Sequence, residues 1–468
     1  MEVKEIRVGK ALGYIVKDNI DAKERLVCNT SRIITSGEKT VVVFRNSEGK
    51  INEDFNEYLN SPAIISMAPL YLLGTCAHLR IFANFLEIYQ LSPEDMSEGK
   101  NISDFVSFLI GALPISGCSS RSNASSNKVL ISVRNFLKWK KIETPMTNWN
   151  SRKAGYDYSL SETDSKTEPV MHLIKSEIGN LQTVILKSKP CCSKKFLEAK
   201  EIIDENYEKA CRSLTRKEGV CNLPKPPALP AFDEQGYVIF RLAIFRGLRL
   251  GEILGLTLED VRIIKGSDGS VRKGVYLRNR LSDYNYQYAK ELIHPDTQED
   301  YKSREYKRNK VGQVFIDLDE TTWNLLQNLI FRDIPVFEKA YPEKAEEVKA
   351  DSVSGEGNNA YIFRNTFGGR LSDQTWNKRL KKYFIDAGLS VDKGKRESNL
   401  THRLRHSFAM ILSKDANVNP VFLASVLRHK NITTVKAYFT PTEKDIRDIY
   451  EAFDEEMYGD LLPFPMNE

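Results

Sequence analysis

The first sixty residues alternate apolar and polar side chains, which is the pattern of half-buried β-strands. The alternation runs through Glu5 to Val16 and returns between Thr40 and Phe44, while Gly37, Asn46 and Gly49 are turn signals. The pattern predicts a small strand-containing module over residues 1–60. No motif in this module assigns it a role.

From residue 61 to residue 145 the spacing of the apolar residues becomes helical. Leu79, Phe82 and Leu86 share one face of a predicted helix, and two further helical segments follow. The last of these begins after a serine-rich, basic stretch at 119–128, which can cap a helix and face phosphates. We therefore expect a helical domain over residues 61–145.

Residues 146–187 contain few large apolar clusters, and the part between 157 and 168 is especially rich in Ser, Thr and acidic residues. We interpret this stretch as an interdomain linker. Helical periodicity then resumes, and a larger second domain is expected over residues 188–453, followed by a C-terminal tail at 454–468.

Within this larger domain an apolar helix stops at Gly247, and a new helical segment carries Arg249 and Glu252 one turn apart. Taken alone, such a pair is typical of a surface ion pair worth on the order of a few tenths of a kcal/mol. Two strands are expected at 274–278 and 313–318, with a basic stretch before the second. The elements predict a mainly α fold with a small antiparallel β-sheet, of the α+β class.

The C-terminal part of this domain groups polar residues that one helix turn can bring together. A helix predicted from Thr401 carries His402 and Arg405 on one face, and a second helix leads up to His429. Tyr438 follows nine residues later. Each of these residues alone would more often be structural, with the tyrosine a packed aromatic.

Composition indicates a soluble multidomain protein, since 468 residues with 41% hydrophobic residues can build several cores. The formal charge of +5 and the pI near 8.6 are mild, so partners must be argued from where the basic residues lie. The N-terminus lacks the apolar region of a secretory signal, and the most apolar stretch, 62–77, is too short for a membrane span. We expect a cytoplasmic protein with no membrane partner.

The seven cysteines are scattered except for Cys191 and Cys192, and they show neither zinc spacing nor an even disulfide framework. This usage is typical of a reduced compartment. His402 and His406 have the spacing of a helical metal pair, but no Glu lies between them and no third ligand is evident nearby. We expect no metal site.

Read together, the polar residues fit the cleavage of a phosphodiester. A phosphate under attack gains negative charge, which Arg249 and Arg405 can hold bidentately. A tyrosine hydroxyl with a pKa of about 10 needs a base, and His402 fits that role for Tyr438. The departing 5′ oxygen needs a proton, which a lysine can supply while His429 donates a hydrogen bond to the phosphate.

These residues resemble the tyrosine recombinase (phage integrase) family. The matching motifs follow the family order and are Gly247-Leu248-Arg249-x-x-Glu252, His402-x-x-Arg405-His406-Ser407-Phe408-Ala409, Leu427-x-His429 and Tyr438. The resemblance covers about residues 188–453 as the catalytic domain. Residues 61–145 are similar, more loosely, to the helical core-binding domain of that family, and residues 1–60 are not covered.

The resemblance implies a site-specific recombinase or integrase that cuts and rejoins DNA through a 3′-phosphotyrosine intermediate. Tyr438 would be the nucleophile, and Arg249, Arg405, His402, His429 and a hairpin lysine would activate the phosphate. Because the intermediate keeps the bond energy, no ATP, nucleotide or metal cofactor is implied. The expected partners are double-stranded DNA held in a C-shaped clamp, a homotetramer on two duplexes, and, as an option, accessory DNA-bending proteins.

The sequence departs from the family pattern in two places. Arg428 stands where the family usually has glycine, so the backbone before His429 is expected to differ slightly. An insertion-like stretch at 282–301 complicates the choice of the lysine; Lys307 fits the family spacing best, and Lys310 is the second choice.

Two other functions stay open, one with similar chemistry and one on the same fold. A type IB topoisomerase-like activity would relax supercoiled DNA of any sequence, without a partner duplex. A catalytically silent DNA-binding regulator is the third reading, since fold alone does not determine function. For residues 1–60, arm-site DNA binding and protein contact both stay open.

Overall fold

The structure is a computed structural model in which the chain forms two compact units. It describes residues 2–9, 11–17, 23–36, 39–67, 69–111, 121, 123–144, 172–266, 268–278, 280, 314–352, 359–391, 400–414, 418–429, 432, 435, 438 and 439. The described residues up to 144 belong to unit 1, and those from 172 onward belong to unit 2.

Unit 1 begins with two small antiparallel sheets. The strands β1 (Glu2–Val8), β2 (Ala11–Lys17) and β3 (Glu24–Val27) form the first sheet in that order, with Val3 opposite Val16 and Tyr14 opposite Val27. The hairpin of β4 (Thr30–Ser36) and β5 (Lys39–Arg45) forms the second. The strands expected from the alternating pattern are therefore present.

Five helices follow in unit 1, namely α1 (Glu53–Asn60), α2 (Pro62–Ile65), α3 (Pro69–Tyr89), α4 (Gly99–Ile110) and α5 (Asn123–Trp139). Phe55, Phe82 and Phe136 lie at the centre of their core, where Phe55 stacks on Phe136 with ring centroids 4.5 Å apart. Tyr14 and Phe44 from the strands are buried in the same core. The first sixty residues and the helices thus share one core, and the domain boundary expected at residue 60 stays a prediction.

Unit 2 starts with helices that the sequence pattern assigned partly to a linker. The segment 175–187 forms α6 (Lys175–Lys187), and Ile178, Leu181 and Ile185 on one of its faces are buried in the main core of unit 2. Their helical spacing is the signal for this packing. The long helix α7 (Lys194–Glu218) follows.

The remaining helices of unit 2 surround one small sheet. They are α8 (Glu234–Arg246), α9 (Leu250–Leu254), α10 (Glu320–Asn328), α11 (Ile334–Ala340), α12 (Asp373–Asp386), α13 (Leu400–Lys414) and α14 (Pro420–Val426). The sheet pairs β6 (Val261–Lys265), β7 (Val271–Leu277) and β8 (Val314–Asp317) antiparallel in that order. This confirms the mainly α fold with a small antiparallel sheet and both expected strands, while β6 was not predicted.

One pair of cysteines differs from the sequence expectation. Helix α7 ends at Gly219, whose φ of +78° reverses the chain, and this turn brings Cys221 back to Cys211 with a Cα–Cα distance of 5.2 Å. The two form a disulfide, whereas Cys28, Cys76, Cys191 and Cys192 are free. The expectation of no disulfide is wrong here, because spacing along the chain does not reveal this reversal.

Among the helices that the structure describes, none is long and apolar enough to cross a membrane.

Candidate active site

The site is built on a sharp turn at the end of α8. Gly247 ends this helix with a φ of +59°, and the N–H of Leu248 donates to the carbonyl of Leu242 at 3.1 Å. A Cβ atom on Gly247 would overlap the ring of Phe408. Glycine is therefore required here for its backbone conformation and for space, and the turn places Arg249 at the start of α9.

Arg249 and Glu252 form the ion pair that their spacing predicted, but it is not a surface pair. The backbone N–H of Arg249 donates to Oε2 of Glu252 and its Nη1 to Oε1, both at 2.7 Å. Glu252 is only 1% exposed. The carboxylate therefore fixes both the backbone and the guanidinium of Arg249, and a buried pair of this kind is costly to break.

Two more arginines share the same carboxylate. Arg428 donates to Glu252 through Nε at 3.1 Å and through Nη2 at 2.7 Å, and Nη1 of Arg405 lies 3.8 Å from Oε2. Burial alone would raise the pKa of Glu252, but Arg428, Arg405 and Arg249 outweigh it and lower the pKa. We call these four residues the arginine–glutamate cluster. Three cations around one anion give the cluster a net positive charge, which suits the cluster to hold a phosphate.

Arg405 connects three segments of unit 2. It projects from α13, is 1% exposed, and donates to the carbonyls of Gly247 and Leu427. Burial lowers the pKa of its guanidinium to about 9, although Glu252 opposes this effect. Arg405 is therefore still charged at neutral pH and holds the turn at Gly247 against the end of α14.

Arg428 has the backbone conformation that glycine adopts easily. Its φ is +55°, in the left-handed region, which costs free energy for any residue with a Cβ atom. The buried guanidinium donates to Gly247 O at 3.2 Å, and the Arg428 carbonyl accepts from Nη2 of Arg249 at 3.2 Å. Arg428 therefore contacts Arg249 directly through its carbonyl and indirectly through Glu252.

Three partly buried histidines lie beside this cluster. His402 and His406 are one turn apart on α13, with ring centroids 4.3 Å apart, and His429 follows α14. Burial first, and then nearby positive charges including Arg405, lower the pKa of His402 and His429 to about 4 and that of His406 to about 3. All three are therefore neutral at pH 7.

Tyr438 lies in a small apolar cluster and is 5% exposed. Its hydroxyl is hydrogen-bonded to Nδ1 of His406. Burial raises the pKa of Tyr438 to about 12, while Arg405 and Arg249 pull it down. The phenol is thus protonated at neutral pH, with two guanidinium charges close enough to favour its ionised form.

The structure brings together most of the residues predicted for the site. Arg249, His402, Arg405, His429 and Tyr438 lie close enough for their charges to interact, since the arginines perturb the other three. Lys307 and Lys310 lie outside the described residues. In the part of the chain that is described, no three His, Cys, Asp or Glu side chains are grouped as a metal site.

Sequence reasoning gave no role to two residues that matter in the site. His406 was noted only for its spacing from His402, and its contact with Tyr438 was not foreseen. Arg428 was noted only as a departure from glycine, and its pairing with Glu252 was missed. The signal for His406 was its position one turn beyond His402.

Comparisons with known proteins agree with this site. Residues 229–445 match the model of the phage integrase family, and no curated protein matches the chain. Among solved structures, the chain is similar to XerH site-specific recombinase bound to palindromic difH substrate, with 17% identity and a TM-score of 0.45, covering 82% of this chain and 79% of that chain.

Two further solved structures are similar at comparable levels. The Tn1549 transposon integrase in complex with transposon right end DNA has 15% identity and a TM-score of 0.47, covering 86% of this chain and 98% of that chain. A lambda integrase dimer bound to a COC′ core site has 13% identity and a TM-score of 0.42, covering 82% and 76%. The family match concerns residues 229–445, and these residues carry a phage integrase family domain.

Proposed function

We propose that this enzyme performs site-specific recombination through a covalent 3′-phosphotyrosine intermediate, with Tyr438 as the nucleophile. The observation that carries the proposal is the buried Tyr438 hydroxyl beside the charges of Arg405 and Arg249. The two guanidinium charges stabilise the phenolate that forms when Tyr438 loses its proton, and the same charges attract a phosphate.

In this mechanism Arg249 and Arg405 hold the scissile phosphate and stabilise the charge that develops on its oxygens. Glu252 supports the role of Arg249, because its buried carboxylate accepts a hydrogen bond from that guanidinium and holds it in place. The neutral rings of His402 and His429 can donate a hydrogen bond to a phosphate without adding a charge that must be neutralised. A hairpin lysine, Lys307 or alternatively Lys310, would protonate the departing 5′ oxygen.

The reaction exchanges one phosphoester for another and needs no external energy source. Tyr438 Oη bonds to phosphorus as the bond to the 5′ oxygen breaks, and the reverse attack by a 5′ hydroxyl rejoins the strand. We infer that neither ATP nor a metal ion takes part, since guanidinium groups supply the charge stabilisation.

Duplex DNA is the proposed partner, bound largely through phosphate contacts and therefore weakened steeply by salt. Strand exchange needs four active sites on two duplexes, so we propose a homotetramer as the active assembly. Accessory DNA-bending proteins would assist where the sites are distant from each other.

The decisive experiment is to trap the covalent intermediate. Wild-type protein and Tyr438→Phe are incubated with nicked duplexes taken from the DNA that flanks the gene, and denaturation-resistant adducts are counted. We expect an adduct with wild type only and equal binding of duplex by both proteins. Tyr207→Phe, a tyrosine on α7 whose hydroxyl contacts Leu223 O, is the matched control and should form the adduct normally.

Other outcomes distinguish the remaining functions. Adduct formation by Tyr438→Phe would contradict the assignment of the nucleophile. Tight binding without any adduct would favour a silent regulator, and relaxation of supercoiled DNA of any sequence would favour a topoisomerase-like enzyme.

A further inference from the structure

The hydroxyl of Tyr438 has a specific hydrogen-bond partner, and it is not the histidine expected to act as its base. Nδ1 of His406 contacts the hydroxyl, and the two ring centroids are 5.6 Å apart. For Nδ1 to accept this hydrogen bond, the neutral ring must carry its proton on Nε2. His402 packs edge to face against the ring of His406, with ring centroids 4.3 Å apart.

We propose that His406 takes the proton of Tyr438 during strand cleavage and returns it during rejoining. This inference rests on the proposed function, because it concerns the same tyrosine. It makes His406 a catalytic residue, since it touches the reacting oxygen. His402 is left free to bind the phosphate.

The step balances as one displacement coupled to two proton transfers. The O–H bond of Tyr438 breaks and its proton moves to Nδ1 of His406, while Oη forms a bond to phosphorus. The bond from phosphorus to the 5′ oxygen breaks, and that oxygen leaves with the electron pair and takes a proton from the lysine. In rejoining, the 5′ hydroxyl attacks phosphorus and returns its proton to the lysine, the bond from phosphorus to Oη breaks, and the proton on Nδ1 returns to Oη.

The charges around His406 make this transfer depend on DNA. Burial is the largest influence against a second proton on the ring, and positive charge on His402, Arg405, His429 or His172 would disfavour it further. Together they hold the pKa of His406 near 3, so free protein keeps Tyr438 protonated. A phosphate held by Arg249 and Arg405 offsets their positive charge, which makes His406 a stronger base only when substrate is in place.

The packing of α13 positions the imidazole for this role. The hydroxyl of Ser407, the next residue, accepts a hydrogen bond from the N–H of Leu173 at 2.7 Å and donates to Arg403 O. Leu173 is 1% exposed in the core of unit 2, so this contact anchors the segment before α6 on the helix that carries His406. The helix that carries the ring is thus tied to the segment before α6.

The test compares His406→Asn with wild type in single-turnover adduct formation on the nicked duplex. Asparagine keeps a hydrogen-bond acceptor near the position of Nδ1 but does not accept a proton at neutral pH. We expect adduct formation to slow by about 10²–10⁴-fold, the usual size of a general-base contribution, with DNA affinity within about threefold of wild type. The rate of the variant should keep rising up to about pH 9, as ionised phenol becomes available, while that of wild type levels off.

A substrate with sulfur in place of the 5′ bridging oxygen separates the base from the acid. A thiolate leaves with little help, because its conjugate acid has a pKa of about 8.5. This substrate should rescue whichever of Lys307→Ala and Lys310→Ala is slowed by loss of the leaving-group proton, and it should not rescue His406→Asn. His78→Asn in unit 1, where His78 Nδ1 pairs with the Ser132 hydroxyl at 2.8 Å, is the matched histidine control.

Two results would overturn the inference. Adduct formation by His406→Asn at the wild-type rate would show that the contact transfers no proton, and rescue of this variant by the sulfur substrate would place His406 on the acid side. Absence of an adduct with wild type would overturn the proposed function and this inference with it, whereas a fast His406→Asn overturns the inference alone.

Discussion

The aromatic core of unit 1 and the arginine–glutamate cluster of unit 2 are both buried but opposite in character, and the comparison shows what holds each of them together. The core of unit 1 is aromatic, with Phe55, Phe82 and Phe136 in mutual contact and almost no exposed surface. The arginine–glutamate cluster of unit 2 is equally buried at Glu252 and Arg405, yet it consists of charges. Removal of apolar surface from water stabilises the aromatic core. The arginine–glutamate cluster is held together because its opposite charges neutralise one another.

This difference supports the placement of the candidate site in unit 2. Buried charges cost free energy and often add no net stability, so their presence points to a use other than folding. In the proposed function that use is phosphate binding, since a phosphate would complete the neutralisation of the cluster. The aromatic core has no such requirement and can be repacked without loss of chemistry.

The largest expected effect comes from removing the one anion of the cluster. Glu252→Gln keeps the shape but leaves three guanidinium groups without a counter-charge, which should cost about 3–5 kcal/mol and abolish adduct formation. Amide hydrogen exchange of α13 peptides and denaturant unfolding measure the loss of stability, and the trapping assay measures the loss of activity.

The aromatic core supplies the control for this comparison. Phe136→Ala should also cost about 3–5 kcal/mol, but the faster exchange should appear in α1, α3 and α5 of unit 1. Wild-type protection of α13 in Glu252→Gln would refute the idea that this carboxylate holds the cluster together.

An intermediate effect is expected at Arg428, where charge and backbone conformation can be separated. Arg428→Gly and Arg428→Ala both remove the buried guanidinium, but only alanine keeps a Cβ at a φ of +55°. We expect the glycine variant to be more stable than the alanine variant by about 1–2 kcal/mol, as judged by the urea midpoint. Equal midpoints would argue against the left-handed conformation at this residue.

The smallest expected effect is the pH dependence of the histidines. Folding lowers the pKa of His402 and His429 to about 4. As the pH falls below about 6.5, the ordinary pKa of histidine, these residues are therefore protonated in the unfolded chain before they are protonated in the folded protein. Their contribution to stability is present above about pH 6.5 and is lost as the pH falls toward 4. Allowing for partial exposure, we expect about 1 kcal/mol per histidine.

Urea midpoints at pH 7, 6 and 5 check this expectation. The loss between pH 7 and pH 5 should be smaller in His402→Asn than in wild type, because that variant has one group fewer to protonate. Equal losses of the urea midpoint between pH 7 and pH 5 in His402→Asn and in wild type would mean that His402 is hydrated in the folded protein.

Much of the candidate site could be predicted from the sequence because its residues lie in short local motifs. Gly247 ends a helix, Glu252 follows Arg249 by one turn, and His402 precedes Arg405 by one turn; all three relations depend on local geometry. The strands of unit 1 were likewise visible in their alternation.

Other features depended on contacts between distant residues. Helix α6 lies in the segment that we interpreted as a linker. Its three apolar residues are buried by contact with the core of unit 2, and the local sequence does not show that contact. The disulfide from Cys211 to Cys221 requires the reversal at Gly219. The local pattern of polar and apolar residues does not identify the partner in either contact.

By itself, the sequence determined the fold class, the motifs that carry the chemistry, and the family that they resemble, since each follows from residue type and spacing along one helix or turn. The tertiary structure decided which histidine contacts Tyr438 and that Arg428 shares Glu252 with Arg249 and Arg405. These pairings join residues 32 and 176 positions apart, and only the packing of α13 and α14 against the turn at Gly247 brings them within hydrogen-bond distance.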